Sequence, residues 1–477
     1  MTRSVIVLEL NEVPWKIVDG FTAAQPTSAL ARLTATSQCY TSIAADRGHL
    51  SPWTTWPTLH RGVNDQQHLI ASFGQDRRDA DARFPPIWRL LHDAGVSVGI
   101  FGTLHSYPVP PDIGDYSFYL PDAFATEPTA HPTELETFQR FNLRMSRESA
   151  RNVDMGVPIS DALGVLRRSV ALGIRPQTYA AVVAQLVAER KHRWKTNRRR
   201  TLQSVLLADV FMHQLKRRSP EFSSFFTNHV ASAMHRYWAA AYPEDYPELH
   251  LGEEWLTTYR GEIGWAMAHT DTMVNRLMRF VDAHPHYVLV VASSMGQFAT
   301  HAQPLETQVF VTDLRAFMTL TGLPGDHGWA IRPAMLPQCN VTVERDFVAT
   351  FESGLERLRV GGAPVPYKRA DHGFYSMDFG QNNLHDQPGA VTIDGREVDM
   401  RTAGLEAVEI EDRSDTTAYH VPEGILMIYD PTRFVTAGDG RPEVSVLRIA
   451  PALLENYGVP RPDYMEPGHD LAEMMTG

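Results

Sequence analysis

Cysteine is nearly absent from this chain: Cys39 and Cys339 are the two among 477 residues. Two cannot build a disulfide framework, and they fit a reducing compartment. Nowhere does an uninterrupted apolar run approach the roughly 20 residues of a membrane span. The chain passes directly into a strand-like segment without the charged and apolar leader of an export signal, so the expected location is cytoplasmic, with no membrane partner. Positive charge is also in short supply. With 44 Lys and Arg against 56 Asp and Glu, the net charge is −12 and the pI is near 5.9, which argues against nucleic acid or an anionic membrane as the main partner. The acidity is an average, because residues 191–200 (Lys-His-Arg-Trp-Lys-Thr-Asn-Arg-Arg-Arg) and 216–218 (Lys-Arg-Arg) concentrate positive charge. Such runs are usually solvated helix faces, with an anion site as the alternative. Internal repeats and low-complexity tracts are lacking too.

What is present suits a large enzyme-like protein. Hydrophobic side chains make up 43% of the composition, and single cores stop growing at roughly 250–300 residues, so one compact domain is too few. Periodicity divides the chain. Up to about residue 125, apolar runs alternate with amphipathic stretches such as residues 86–95, the repeating unit of a parallel α/β sheet. Residues 131–222 are rich in helix formers and carry the basic cluster, which suggests an inserted helical cap. Residues 311–415 show no clear period and many Gly, Pro and polar positions, an irregular insertion or subdomain. The core is then expected from residues 1–130, 223–310 and 416–477. Residues 5–10, 288–292 and 424–429 should be strands of one sheet.

Four segments carry a more specific signal. They are Ser4-Val-Ile-Val-Leu-Glu-Leu-Asn11; Ser51-Pro-Trp-Thr-Thr-Trp-Pro-Thr-Leu-His-Arg-Gly62, followed by Gln67-His68; His286-Tyr-Val-Leu-Val-Val-Ala-Ser-Ser-Met-Gly296; and His420-Val-Pro-Glu-Gly-Ile-Leu-Met-Ile-Tyr-Asp430 with residues 446–460. In this order they resemble the alkaline phosphatase superfamily, in particular its type I phosphodiesterases and nucleotide pyrophosphatases. The resemblance implies an α/β fold, a mainly parallel central sheet flanked by helices with a helical cap insertion. It also implies a dinuclear metal site acting on phosphate or sulfate esters, with Thr55 as the nucleophile at a helix N-terminus.

Carried over position by position, the resemblance shows what has changed. The first-strand Asp becomes Asn11, the metal-binding Asp-His pair becomes Ser294-Met295, and an Asp-x-x-x-His-x-x-Trp segment becomes Ala231-Ser-Ala-Met-His235-Arg-Tyr-Trp238. His235 and His420 survive. Two dications cannot be held by an amide and a thioether, so at most one divalent metal, zinc by preference, is expected on His235 and His420, completed by Glu12, His60 or His229. The candidate catalytic residues are Thr55, its neighbour Thr58 one turn on, His60 as a base, and Asn11 and Ser294 lining the cleft. Asp326-His-Gly328 and Asp371-His-Gly373 spell the missing pair but follow no apolar strand, and are read as exposed turns. The functional expectation is a divergent hydrolase or transferase for a small anionic phosphate or sulfate ester or diester, nucleotide-like substrates included. The alternatives are a catalytically silent binding or scaffolding homologue, and metal-independent group transfer through Thr55 and a nearby base.

Overall fold

A computed structural model describes residues 2–147, 164–334, 337–379, 383–384, 389–433, 440–468 and 471–473. Its centre is an eight-stranded sheet built from β1 (Ser4–Leu10), β2 (Gln38–Ile43), β3 (Val98–Phe101), β4 (Phe118–Leu120), β5 (Phe222–Thr227), β6 (Tyr287–Ala292), β9 (Glu423–Tyr429) and β10 (Glu443–Ser445), while β7 (Gly296–Ala299) and β8 (Ala418–Val421) pair beside it. The order is β10-β2-β9-β6-β1-β5-β3-β4. Every neighbouring pair is parallel except the two made by β9. The mainly parallel α/β sheet flanked by helices is therefore present.

β1 lies between β5 and β6, with Leu10 opposite Thr227 and Glu9 opposite Ala292. Its continuous apolar run is what a strand covered on both faces requires. Ile6, Leu8 and Leu10 pack into one large cluster and Val5 and Val7 into another, the alternation of a strand between two helical layers. On the second face stands α1 (Pro52–Arg61), contributing Trp56 and Leu59. On the first stand α2 (Arg199–Arg218), α3 (His229–Ala241) and α4 (Glu262–Ala283).

Three differences from the expected organisation have simple causes. The apolar residues 225–230 read as a strand, but β5 starts earlier, at Phe222, and ends at Thr227, and His229 already opens α3. Ser223 and Ser224 disguise the strand as polar, yet both are buried, and Ser224 is hydrogen-bonded to Thr103 at 2.6 Å. Within residues 131–222, Glu136–Arg147, Pro176–Lys191 and α2 are helical as expected. However, α2 belongs to the layer on the sheet itself, Phe211 stacking on Phe225 at 4.8 Å; part of that segment lies outside the described residues. The region 311–415 is not irregular. It contains two four-stranded antiparallel sheets, a strand Leu405–Glu409 pairing with Thr307–Val311, and a separate core around Phe317, Val341, Phe351 and Tyr375. Its strands are two to five residues long, too short to leave a period in the sequence. Among the described residues, no helix is long and apolar enough to cross a membrane.

Candidate metal centre

The carboxyl ends of β1, β5 and β6 converge, the usual place for a site in an open parallel sheet. Beyond β1 the chain turns sharply. Asn11 N–H still donates to Thr227 O at 3.1 Å, but Glu12 adopts φ 59°, in the left-handed region. A non-glycine residue there costs roughly 1–2 kcal/mol and persists only where its surroundings hold it. They do: the Asn11 amide donates to Glu12 Oε1 at 2.7 Å, and the Gln297 amide donates to Glu12 Oε2. Asn11 is held in turn, donating to Asn228 Oδ1 and accepting from Trp56 Nε1, both at 2.7 Å.

Two imidazoles face this carboxylate. His235 Nε2, from α3, lies 2.9 Å from Glu12 Oε2, and His420 Nε2, from β8, lies 3.4 Å from the same oxygen. Each ring is anchored at its other nitrogen by a backbone carbonyl: His235 Nδ1 by Ala418 O at 2.8 Å, His420 Nδ1 by Leu50 O at 2.7 Å. A carbonyl only accepts, so the hydrogen-bond network assigns the proton to Nδ1 in both rings and leaves Nε2 toward Glu12. In the neutral rings that aims two lone pairs at an anion. The arrangement is satisfied when a cation sits among the three atoms or when the rings are protonated. Burial pushes the Glu12 carboxyl up, but His420 and then His235 outweigh it and hold Glu12 well below the usual carboxylate range. Burial likewise pulls His420 down, and Glu12 outweighs that, leaving it raised.

The three donors suit a metal. Glu12, His235 and His420 offer ligand atoms within 4.8 Å of one another. Bonds of about 2.0–2.2 Å at tetrahedral angles would place ligand atoms roughly 3.3–3.5 Å apart, close to the separations seen. Carbonyl-anchored imidazoles and an amide-held carboxylate are the outer support that metal ligands usually have. Glu12 is 2% exposed and His420 8%, whereas His235 keeps 24% of its side chain open to solvent. Access is therefore from the His235 side, past a rim where His49 Nε2 is 3.1 Å from the Tyr419 hydroxyl.

The remaining candidates are placed differently. Ser51, not Thr55, caps α1, and its carbonyl accepts the N–H groups of both Thr54 and Thr55 at 2.9 Å. Thr55 lies one turn in, fully buried, its hydroxyl 2.8 Å from that of Ser294, which is also fully buried. The expected helix-end position for Thr55, with free N–H groups around it, is thus not found. Asn11 supports Glu12 rather than facing the cleft. His60 is not beside Thr55, because five residues along a helix turn a side chain about 140° away. It is buried against Trp56 and Trp88, with Nε2 2.8 Å from Glu9 Oε1. Thr58 donates to Asp46 Oδ1 at 2.5 Å and meets His68 Nε2 at 2.9 Å. His68 Nδ1 accepts from Ile70 N–H, so its Nε2 is the protonated nitrogen and cannot take a proton from Thr58. His229 is buried on Thr270 at 2.9 Å. Asp326 and His327 form an exposed pair, and Asp371–Gly373 is an exposed turn. Sequence reasoning passed over Gln297 and Asn228. The available signal was register: Gln297 lies directly opposite His420 in the β7–β8 pair.

The Asp46 contact yields a pH prediction. Burial, opposed by the Thr58 hydroxyl, pushes its carboxyl up to about 6, against roughly 3.9 in an unfolded chain. The folded state therefore binds this proton more tightly. The stabilisation is complete below about pH 4 and is lost as pH rises through 6, about 2–3 kcal/mol in all. Denaturant unfolding of wild type and Asp46→Asn at pH 4 and pH 7 should show the variant gaining that amount on the wild type as pH rises. A pH-independent difference would contradict the assignment.

No protein-family model matches the chain, and no curated protein matches it. Solved structures do align with it. Murine ectonucleotide pyrophosphatase/phosphodiesterase 5 covers 99% of this chain and 100% of its own, with 10% identity and a TM-score of 0.44. An inactive variant of that murine protein in complex with AMP aligns over 99% of both chains with 10% identity and a TM-score of 0.43. The human protein aligns over 99% of both with 9% identity and a TM-score of 0.42. Similarity at this level assigns no residue a role.

Proposed function

We propose that this chain is a mononuclear metal-dependent hydrolase or transferase for small phosphate or sulfate esters, with one divalent ion, zinc by preference, on Glu12, His235 and His420. The observation that carries the reading is the pair of imidazoles locked by the Leu50 and Ala418 carbonyls so that both Nε2 atoms face a buried, ionised carboxylate. A bound dication would polarise an ester oxygen and activate a nucleophile. With one carboxylate in the ligand set the centre would carry a net charge near +1, which favours an anionic ester. Asn11 and Gln297 hold Glu12 in place, and His49 and Tyr419 border the approach.

The test is elemental analysis of the purified protein combined with turnover of a panel of phosphate monoesters, diesters and sulfate esters before and after chelation. We expect one equivalent of metal per chain and turnover that chelation removes and zinc restores. Two equivalents, or turnover indifferent to chelation, would reject the reading. One equivalent with no turnover of any ester would favour a binding protein that keeps the centre.

The nucleophile is proposed to be water. Thr55 is sealed beneath the surface against Ser294, and an alcohol without an adjacent base is a weak nucleophile. Thr55→Ala is then expected to keep activity within about tenfold of wild type and to melt slightly lower, the hydroxyl pair being worth about 1 kcal/mol. If Thr55 is instead the nucleophile, Thr55→Ala will be folded and inactive while Thr55→Ser retains part of the rate, and water is excluded.

A further inference from the structure

The helix Pro176–Lys191 is turned the reverse way from an ordinary surface helix, which buries its apolar stripe and exposes its polar one. Its buried positions are Thr178, Gln185 and Glu189. Thr178 donates to Asp209 Oδ2 at 2.6 Å, Gln185 donates to the Lys195 carbonyl at 2.6 Å, and Glu189 pairs with Arg199 at 2.8 Å. Tyr179, Ala181 and Val182 reach the edge of the large apolar cluster. The outward side is apolar. Ala180, Val183, Ala184 and Val187 follow the spacing of one helical face, with Leu186 beside them, and all five are exposed. Val183 keeps 60% of its surface open, Val187 50% and Leu186 41%. The segment leading into the helix exposes Leu166 and Val170 as well. Single apolar side chains on a surface are ordinary, but a contiguous face of them marks a contact surface.

Charge decides what covers this face. The outward stripe ends in Arg190 and Lys191, both exposed, three and four residues after Val187. Residues 164–218 contain thirteen Lys or Arg against two Asp or Glu, in a chain whose net charge is −12. Part of this excess is offset across the fold, Arg198 by Glu262 at 2.5 Å, Arg217 by Glu134 at 3.6 Å and Arg193 by Glu411 at 4.0 Å. Arg167, Arg168, Lys216 and Arg218 are exposed, like Arg190 and Lys191. A second copy of the chain is disfavoured as the occupant, because an isologous contact through this face would bring the same positive excess together. An anionic lipid surface complements both features, acyl chains receiving the apolar side chains and headgroups the Lys and Arg. The negative net charge that argued against such a surface is an average, and its uneven distribution steers this face toward one.

We infer that the outward face of Pro176–Lys191 docks on an anionic bilayer, Val183, Leu186 and Val187 entering the headgroup boundary while Arg190 and Lys191 meet the charged headgroups. The helix lies in the plane of the interface and does not cross it: its 16 residues fall short of the roughly 20 of a span, and its other side is committed to Asp209 and Arg199. This docking is independent of the reading of the metal centre.

The test is flotation of the full chain with vesicles of phosphatidylcholine alone and of phosphatidylcholine mixed with phosphatidylserine. Wild type should float with the mixed vesicles, bind the neutral ones at least about tenfold more weakly, and be released by high salt, which screens the headgroup attraction. The double variant Val183→Asp with Val187→Asp, and separately Arg190→Glu with Lys191→Glu, should each bind the mixed vesicles at least about tenfold more weakly than wild type. All four positions are exposed, so melting temperatures should be unchanged. Ile331→Asp, at a position 69% exposed on another sheet, should bind like wild type. Failure of wild type to bind the mixed vesicles, full binding by either double variant, or an equal loss in Ile331→Asp would overturn the docking face. Sedimentation without lipid covers the remaining occupant: a dimer that Val183→Asp with Val187→Asp dissolves would give the face to a second copy and reject the bilayer.

Discussion

Replacing Glu12 by glutamine is expected to empty the proposed metal centre and abolish ester turnover together, while leaving the fold in place. The amide has the shape of the carboxylate but not its charge, and a dication held by two neutral imidazoles and a weak carbonyl donor loses the ligand that offsets its charge. Metal content should fall from one equivalent to near zero, and kcat/KM by at least about 10³, corresponding to roughly 4 kcal/mol. The metal-free variant should stay folded but melt below metal-free wild type, because the amide gives up the attraction by which Glu12 raises His420 and is itself held ionised. Added zinc should then raise the melting temperature of wild type alone, since a ligand at about 100 times its Kd contributes roughly 2.7 kcal/mol. Full metal occupancy in Glu12→Gln would show that the ion, if there is one, is held elsewhere.

The second large effect is expected at Gly296, where β7 starts. A Cβ at this position would lie 2.0 Å from the Glu423 carbonyl oxygen and 3.1 Å from Pro14 Cβ. The obstacle is backbone, so no rotamer change relieves it, and the start of β9 must move away from β7. Gly296→Ala should therefore cost about 3 kcal/mol or more. It should also weaken metal binding, because Gln297, which holds Glu12, and its register partner His420 are carried on the displaced segments. The contrast is Gly264, exposed within α4 with nothing near its Cβ position. Gly264→Ala should stabilise the protein by about 0.5–1 kcal/mol through helix propensity alone. Urea unfolding of the two variants checks both, and equal midpoints would mean that the strand ends are not in contact at Gly296.

Much of the site was legible because its residues flank recognisable elements. Glu12 follows the apolar run of β1, His420 precedes that of β9, and His235 lies at a set distance from Trp238 on an amphipathic helix. The roles were less legible. Asn11 looked like a substituted ligand and is a support for Glu12. His60 looked like a base for Thr55 and is paired with Glu9 on the other side of the helix. Thr55 looked like a nucleophile at a helix N-terminus and is a buried partner of Ser294. Each depends on which way a side chain turns from an element whose position was anticipated correctly, and neighbouring positions on a helix differ by about 100°.

The amino-acid sequence by itself determined the α/β sheet, because long apolar runs can be covered only between two helical layers. It also pointed to at most one divalent metal, because an amide and a thioether are poor ligands for two dications. Tertiary structure alone decided that Glu12 joins His235 and His420, and that their Nδ1 atoms are taken by the carbonyls of Ala418 and Leu50. Those facts depend on groups hundreds of residues apart in the chain, 370 between His420 and the Leu50 carbonyl. Carbonyls are common to all residues and leave no mark in the sequence, and proximity across such distances arises only when the strands pair and the helices pack on them.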